Sequence, residues 1–390
     1  MKTMFNYHNS IIQKYPSGRL LSIDALRGFF IAAMIIVNTP GSWDFVYAPL
    51  LHASWNGWTP TDVIFPGFLF IVGISIVLSM QHKIPTADQH RRIVTRSLKL
   101  FALGLLIAVF YYPLGADHYP WWQEQVEQVR IMGVLQRIAL VYAVCALVVF
   151  HFNTMGWLLL SVALPTIYWA LMLYAPFDVM GLEFTGTLIH GTNYAAYIDD
   201  LVLGRDHVYF DQILPFAYDP EGLLSTLPAI SSGLLGALAG KLIVNRGAAS
   251  FPVLAIGGAL MTVIGLYLDE LIPINKTLWT PSYVILMAGI SMILTAAAIL
   301  LIDGLSFKSP VASLLVGGSN ATAFYVLSAL LTRLFIMIPI ADTSLQGWLY
   351  LEVFQPMFGN YGGSLAFAIA FLVLCYIPIY WMFRKGIFWR

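Results

Sequence analysis

Apolar residues in this chain come in blocks. Runs of roughly 18–22 residues, the length that crosses ~30 Å of hydrocarbon as a helix, recur at 20–38, 62–80, 97–112, 131–150, 156–175, 221–242, 251–268, 281–302, 309–338 and 362–383. Only 10% of the residues are charged and 59% are hydrophobic, against about 25% charged in a soluble globular chain. The expected fold is an all-α integral membrane protein, one domain over 1–390 with a polytopic bundle of about ten transmembrane helices. The ninth run is too long for one straight span and is expected to break near Arg333 or before Pro339. The first run contains Asp24 and Arg27 and no small-residue cleavage site follows it, so it reads as a retained span rather than a signal peptide.

Basic residues then set the orientation. With residues 1–18 inside, the cytoplasmic segments hold Lys2, Lys14, Arg19, Lys83, Arg91, Arg92, Arg96, Lys99, Lys241, Arg246, Lys308, Arg384, Lys385 and Arg390, while the opposite side holds only Arg130, Arg205 and Lys276. Both termini are therefore expected in the cytoplasm. The outer loops are acidic and aromatic, and the longest, 176–220, carries Tyr, Asp, His and Asn without Ser/Lys/Glu runs, which argues for a folded functional loop. It closes on Asp219-Pro220-Glu221-Gly222, read as the N-cap and first turn of the sixth span. Zero net charge excludes a global field for nucleic acid. Cys145 and Cys375 fall inside apolar runs, which makes a disulfide framework improbable, and no metal-ligand spacing occurs.

Several polar residues stand out against this background. His52 lies in the first outer loop, in Leu51-His52-Ala53-Ser54-Trp55-Asn56-Gly57-Trp58, just before the second span. Its chemistry suits a general base or an acyl-accepting nucleophile; position alone favours an interfacial histidine in the aromatic belt. Thr59-Pro60-Thr61-Asp62 reads as a helix start, with Asp62 at the third helical position and within a turn of His52, so it is a cap first and an orienter of the ring second. Asn38 ends the first span as a helix-terminal residue or as an amide poised for an oxyanion. Arg19, Asp24 and Arg27 surround the cytoplasmic mouth of the first helix, where Asp24 and Arg27 can pair at i,i+3. Arg96 opens the third span after a basic loop, and Arg137 sits too far inside the fourth span to snorkel.

In these segments the chain resembles the heparan-α-glucosaminide N-acetyltransferase family, and among its members the short bacterial type without the lumenal domain. The resemblance rests on Arg19 to Gly28, on His52-Ala53-Ser54-Trp55-Asn56-Gly57 through Met80, and on Gly133-Val134-Leu135-Gln136-Arg137. It continues in Ala196-Tyr197-Ile198-Asp199, Tyr218 to Gly222, Ile274 to Trp279 and the terminal Arg384 to Trp389. The loop from Thr39 to Leu51 is longer than in the long eukaryotic form, and the last two segments before the terminus match poorly.

The resemblance implies transfer of an acetyl group from cytoplasmic acetyl-CoA to the amine of a glucosamine-type sugar across the membrane, with His52 as the active-site residue, Asn38 its neighbour and Asp62 beside it. Acetyl-CoA is then the co-substrate, with no metal. Its polyanionic end calls for the basic mouth, so Arg19, Asp24, Arg27, Arg96, Arg137, Arg384 and Lys385 are its candidate contacts. Trp55, Asn56, Trp58, Asp199 and His207 are the candidates for gripping the amino sugar or glycan. An amino-sugar transporter and an O-acyltransferase of a surface glycan are the rival readings, a homodimer is compatible with either, and the expected location is a bacterial inner membrane with the His52 loop facing the periplasm or exterior. Single cysteines introduced in 113–129 and in 82–96 should label from opposite faces of sealed vesicles; labelling from the same face breaks this topology.

Overall fold

The computed structural model describes residues 11–13, 20–80 and 85–389. Its long helices are α1 (Leu21–Asn38), α2 (Ile64–Met80), α3 (Ala87–Val109), α4 (Val134–His151) and α5 (Thr154–Tyr174). After the short α6 (Tyr194–Val202) come α7 (Thr226–Arg246), α8 (Phe251–Leu268) and α9 (Pro281–Ala298), the last extended by a π-helical turn to Gly304. α10 (Ala312–Ser319), α11 (Ala321–Met337), the one-turn α12 (Leu345–Leu349) and α13 (Gln355–Arg384) complete the bundle. Each apolar block of the sequence coincides with a helix. Among the described residues seven stretches are long and apolar enough to cross a membrane, or eight with the bent α10–α11 pair, fewer than the ten expected. Two features account for the difference. α3 carries Arg91, Arg92, Arg96 and Lys99 in its first half, and α7 with α8 forms one apolar stretch, Thr226–Leu268, turned at Gly247 by a positive φ of 54°.

Two expected boundaries move. The ninth run breaks at Asn320, by 76°, and Arg333 lies inside α11. Asn320 leaves the helical region (φ −127°, ψ 39°), and its side chain is spent on the C-terminal segment: Nδ2 donates to Ile387 O at 3.0 Å and Oδ1 accepts from Trp389 N at 2.9 Å. The sixth span begins at Thr226 rather than at residue 221. Asp219 does not cap it, because both its carboxylate oxygens are held by Arg130 at 2.7 Å.

Interfaces within the bundle depend on small residues that let backbones approach. A Cβ on Gly28 would collide with the Leu314 carbonyl of α10, and one on Gly318 with the Asp24 carbonyl of α1. α1 and α10 therefore touch backbone to backbone at the end of the bundle where the basic residues gather. At the other end, segment 176–220 folds into two short hairpins (Phe177–Val179 with Leu182–Phe184, Leu188–Ile189 with Thr192–Asn193) and α6. Arg205 donates to the carbonyls of Asp211, Ile213 and Pro215 at 2.7, 2.9 and 2.8 Å, which ties the end of this cap to itself. Gly28→Val should lower stability by roughly 1–3 kcal/mol, the cost of overpacking a tight interface; an unchanged unfolding temperature in detergent would remove this contact from the account.

Candidate active site

The loop from Thr39 to Thr59 and the first turn of α2 build the site around one carboxylate. Thr59 and Asp62 form a reciprocal capping box on the 3-10 turn Pro60–Val63 that leads into α2. Asp62 is fully buried. Its Oδ2 accepts from the backbone N–H of Thr59 at 2.9 Å and of Ala53 at 3.0 Å, and Oδ1 meets His52 Nδ1 at 2.6 Å. Tyr283 of α9 donates its hydroxyl to the Asp62 carbonyl at 2.7 Å, so the turn is held from below as well. A carboxylate on Nδ1 fixes the proton on that nitrogen and leaves Nε2 as the basic atom. The His52 side chain is half-exposed at 48%.

Lys276, in the turn before α9, completes the cluster and was not singled out from the sequence. Its Nζ lies 2.9 and 3.0 Å from His52 Nδ1 and Nε2 and 3.7 Å from Asp62 Oδ1. Burial pushes the Lys276 ammonium below the usual lysine value, against the pull of Asp62 and Glu221. The signal available in the sequence was that Lys276 is one of only three basic residues assigned to the outer loops.

The acceptor candidates divide. Trp55, Asn56 and Trp58 flank His52: Trp58 is 38% exposed, Asn56 Oδ1 accepts from Asn275 Nδ2 at 3.1 Å, and Trp55 Nε1 donates to Leu188 O at 3.0 Å. The Trp55 ring packs against His190, whose Nε2 meets the Tyr218 hydroxyl at 2.8 Å. Asp199 and His207 serve the cap instead. Asp199 is buried and accepts from the N–H groups of Leu223 and Asp219 at 2.9 and 3.2 Å; burial pushes its carboxyl up to about 7. His207 Nδ1 donates to Val129 O at 2.9 Å. Asn38 is exposed at the end of α1, and among the described residues its side chain makes no hydrogen bond.

A cavity of about 1780 Å³ opens at the opposite, basic end, larger than the ~300–1,000 Å³ of ordinary small-molecule sites. Arg91, Arg92, Arg96 and Lys99 line its mouth, and Arg96 also stacks 4.7 Å over Tyr142. Asp24 and Arg27 lie on its wall as an ion pair at 3.2 Å, with Arg27 Nη2 donating to Ser75 Oγ at 2.6 Å. Ile31 and Met34 continue the stripe inward along α1, faced by Phe68 and Ile138. Leu135, in the first turn of α4, also lines the cavity. Met34 is one turn short of Asn38, and Phe68 is about 9 Å along the helix from Asp62 at 1.5 Å per residue.

The remaining cofactor candidates lie elsewhere. Arg137 does not line the cavity: it is fully buried in α4, donates through Nη2 to Gly222 O at 3.2 Å and to Ser225 Oγ, and lies 5.0 Å over Trp279. Together with Arg130 it anchors turn 219–225. Arg384 and Lys385 end α13 beside Phe383 and Phe388, which do line the cavity. Arg19 lies outside the described residues. Among the described residues no three His, Cys, Asp or Glu side chains converge as metal ligands.

Fold and site together define a polytopic integral membrane protein with a histidine–carboxylate pair at one end of its bundle and a deep basic-mouthed cavity at the other. The sequence profile described as "Heparan-alpha-glucosaminide N-acetyltransferase, catalytic" matches residues 19–265, and the chain belongs to that family. It is 33% identical over 323 residues to heparan-alpha-glucosaminide N-acetyltransferase of Mus musculus, covering 70% of this chain and 47% of that protein. To the Homo sapiens protein of the same name it is 33% identical over 317 residues, 68% of this chain and 46% of the relative. It thus spans about half the length of each relative.

Asp62→Ala should cost about 3–5 kcal/mol, because it orphans two buried N–H donors and a charged neighbour at once. His52→Ala should cost under about 1 kcal/mol, as a half-exposed side chain away from the core. Thermal unfolding of the two variants in detergent checks the contrast, and equal shifts would contradict it.

Proposed function

We propose that this protein is a transmembrane N-acetyltransferase, moving the acetyl group of cytoplasmic acetyl-CoA to the amine of a glucosamine-type sugar on the far side of a bacterial inner membrane. The observation that carries this reading is the pairing of His52 Nδ1 with the buried Asp62 carboxylate at 2.6 Å, which leaves Nε2 as a base. The basic-mouthed cavity at the other end supports it. Acetyl-CoA carries phosphates that cannot enter hydrocarbon, so Arg91, Arg92, Arg96 and Lys99 hold them at the mouth while the pantetheine arm runs inward past Arg27, Ile31 and Met34. The charge asymmetry of the loops supports a cytoplasmic mouth and cytoplasmic termini.

In the reaction the neutral amine attacks the thioester carbon, and His52 Nε2 takes the proton released from nitrogen. The tetrahedral intermediate expels the thiolate of coenzyme A, which receives that proton. The net change is one amide formed, one thioester broken and one thiol released. An acetyl-imidazole on the same Nε2 is the two-step variant of this route. Trp55 and Trp58 supply aromatic faces for the sugar beside the base, with Asn56 as a hydrogen-bonding neighbour.

Purified protein incubated with labelled acetyl-CoA and glucosamine should yield N-acetylglucosamine, and folded His52→Ala should lose at least ~100-fold in rate, the lower range for a positioned base. Acetylation that persists in His52→Ala removes the catalytic assignment. Glucosamine crossing vesicles without acetyl-CoA favours a transporter, and acetyl ester as the product favours an O-acyltransferase.

A further inference from the structure

The contact between Lys276 and His52 is more than a counter-ion to Asp62. The ammonium lies closer to both ring nitrogens, at 2.9 and 3.0 Å, than to the carboxylate, at 3.7 Å. One ammonium cannot lie on the in-plane lone-pair axes of both nitrogens, and Nδ1 is already engaged by Asp62 at 2.6 Å. The ammonium therefore lies against the ring between the two nitrogens, and Nε2, the atom that acetyl transfer needs, is the one with a lone pair left to accept from it. The turn that carries Lys276 is fastened to the loop that carries His52: Gly57 N donates to Ile274 O at 2.7 Å and Asn275 Nδ2 to Asn56 Oδ1 at 3.1 Å. Asn275 Oδ1 in turn accepts from Leu278 N at 2.8 Å. The two loops therefore keep their spacing as one unit, while the Lys276 side chain can turn. The charged groups facing the ammonium are Asp62 and Glu221, which favour its charge, and Arg137, which opposes it.

We propose that Lys276 is a further catalytic residue, whose ammonium covers His52 Nε2 in the empty site and turns to the thioester oxygen when the acetyl group arrives. This rests on the acetyl transfer proposed above. As the amine attacks the thioester carbon, the carbonyl π pair moves onto oxygen, and the Lys276 ammonium donates a hydrogen bond to that oxyanion. Uncovered, Nε2 takes the amine proton. When the oxyanion reforms the carbonyl, the carbon–sulfur bond breaks and the proton passes from His52 to the departing thiolate. Lys276 keeps its three protons throughout. A fixed cation aimed at a developing oxyanion is worth about 10²–10³ in rate, and a half-exposed exterior loop has few other groups that could supply it.

Lys276→Met and Lys276→Cys should lower kcat by ~100-fold or more with KM for both substrates within about threefold, the signature of an interaction made in the transition state. Cys145 and Cys375 are both buried, so the thiol introduced by the second substitution can be aminoethylated selectively with bromoethylamine. That treatment restores the cation and should restore most of the rate, whereas iodoacetamide, which adds a neutral amide, should not. Full activity in Lys276→Met, or equal rescue by iodoacetamide, overturns the proposal. An independent readout needs no acetyl transfer. Diethyl pyrocarbonate acylates unprotonated imidazole, so carbethoxylation of His52, followed by peptide mass spectrometry with exposed His118 as internal reference, should be several-fold faster in Lys276→Met than in wild type. An unchanged rate shows that Lys276 does not cover Nε2 and overturns it. If wild type transfers no acetyl group at all, the functional reading fails while this second measurement still decides the contact.

Discussion

The His52 loop and the start of α2 are both referred to the Asp62 carboxylate. It is fully buried, and its two oxygens serve two structures at once. Oδ2 takes the backbone donors of Ala53 and Thr59, which fixes the loop over the start of α2. Oδ1 takes His52 Nδ1, which fixes the tautomer and direction of the ring. A buried anion is costly unless its hydrogen bonds are complete, and the completion comes from the elements that must be held together for chemistry. The orientation of the imidazole is thus secured by the same interactions that secure the helix start.

Two further devices brace this centre. Turn 270–280 brings Lys276 and Asn275 against the loop, and Tyr283 reaches Asp62 from the top of α9. On the other flank Arg130 and Arg137 grip turn 219–225, which holds Asp199 and through it the cap of residues 176–220. The cations that a bare sequence assigns to the cofactor are split by this arrangement. Arg27 and Arg96 line the cavity, while Arg137 stabilises a turn at the end nearer His52. Its Nη2 donates to Gly222 O and Ser225 Oγ while the guanidinium lies over the Trp279 ring.

The lining of the cavity from the basic end reaches Met34 on α1, Phe68 on α2 and Leu135 in the first turn of α4. Where α1 meets α10, Gly28 and Gly318 put carbonyl against α-carbon, so that crossing is tight near the cavity mouth. Just past Asn38 the chain is held as closely: Gly41 N donates to Ser364 O at 3.1 Å, Gln346 Nε2 donates to Pro40 O at 2.8 Å, and a Cβ on Gly41 would collide with Tyr350.

Local features were legible in the chain itself because they depend on residues close in sequence. Block length gave the helices, the Thr59–Asp62 spacing gave the capping box, and the i,i+3 spacing gave the Asp24–Arg27 pair. The same proximity made it possible to see Asp62 as a partner of His52, ten residues away. Tertiary structure decided what depends on distant segments: Asn320 as the break, because its amide is claimed by Ile387 and Trp389, and Asp219 as an ion-pair partner of Arg130 instead of a helix cap. Asp199 and His207, polar loop residues that read as sugar contacts, bond to backbone groups of other segments: Asp199 to Asp219 and Leu223, and His207 through Nδ1 to Val129. Lys276 lies 224 residues from His52 and no periodicity or spacing links them. Only the folding of α9 beside α2 brings that ammonium onto the ring, since a contact between loops from opposite halves of a chain is set by how the helices pack and leaves no local pattern.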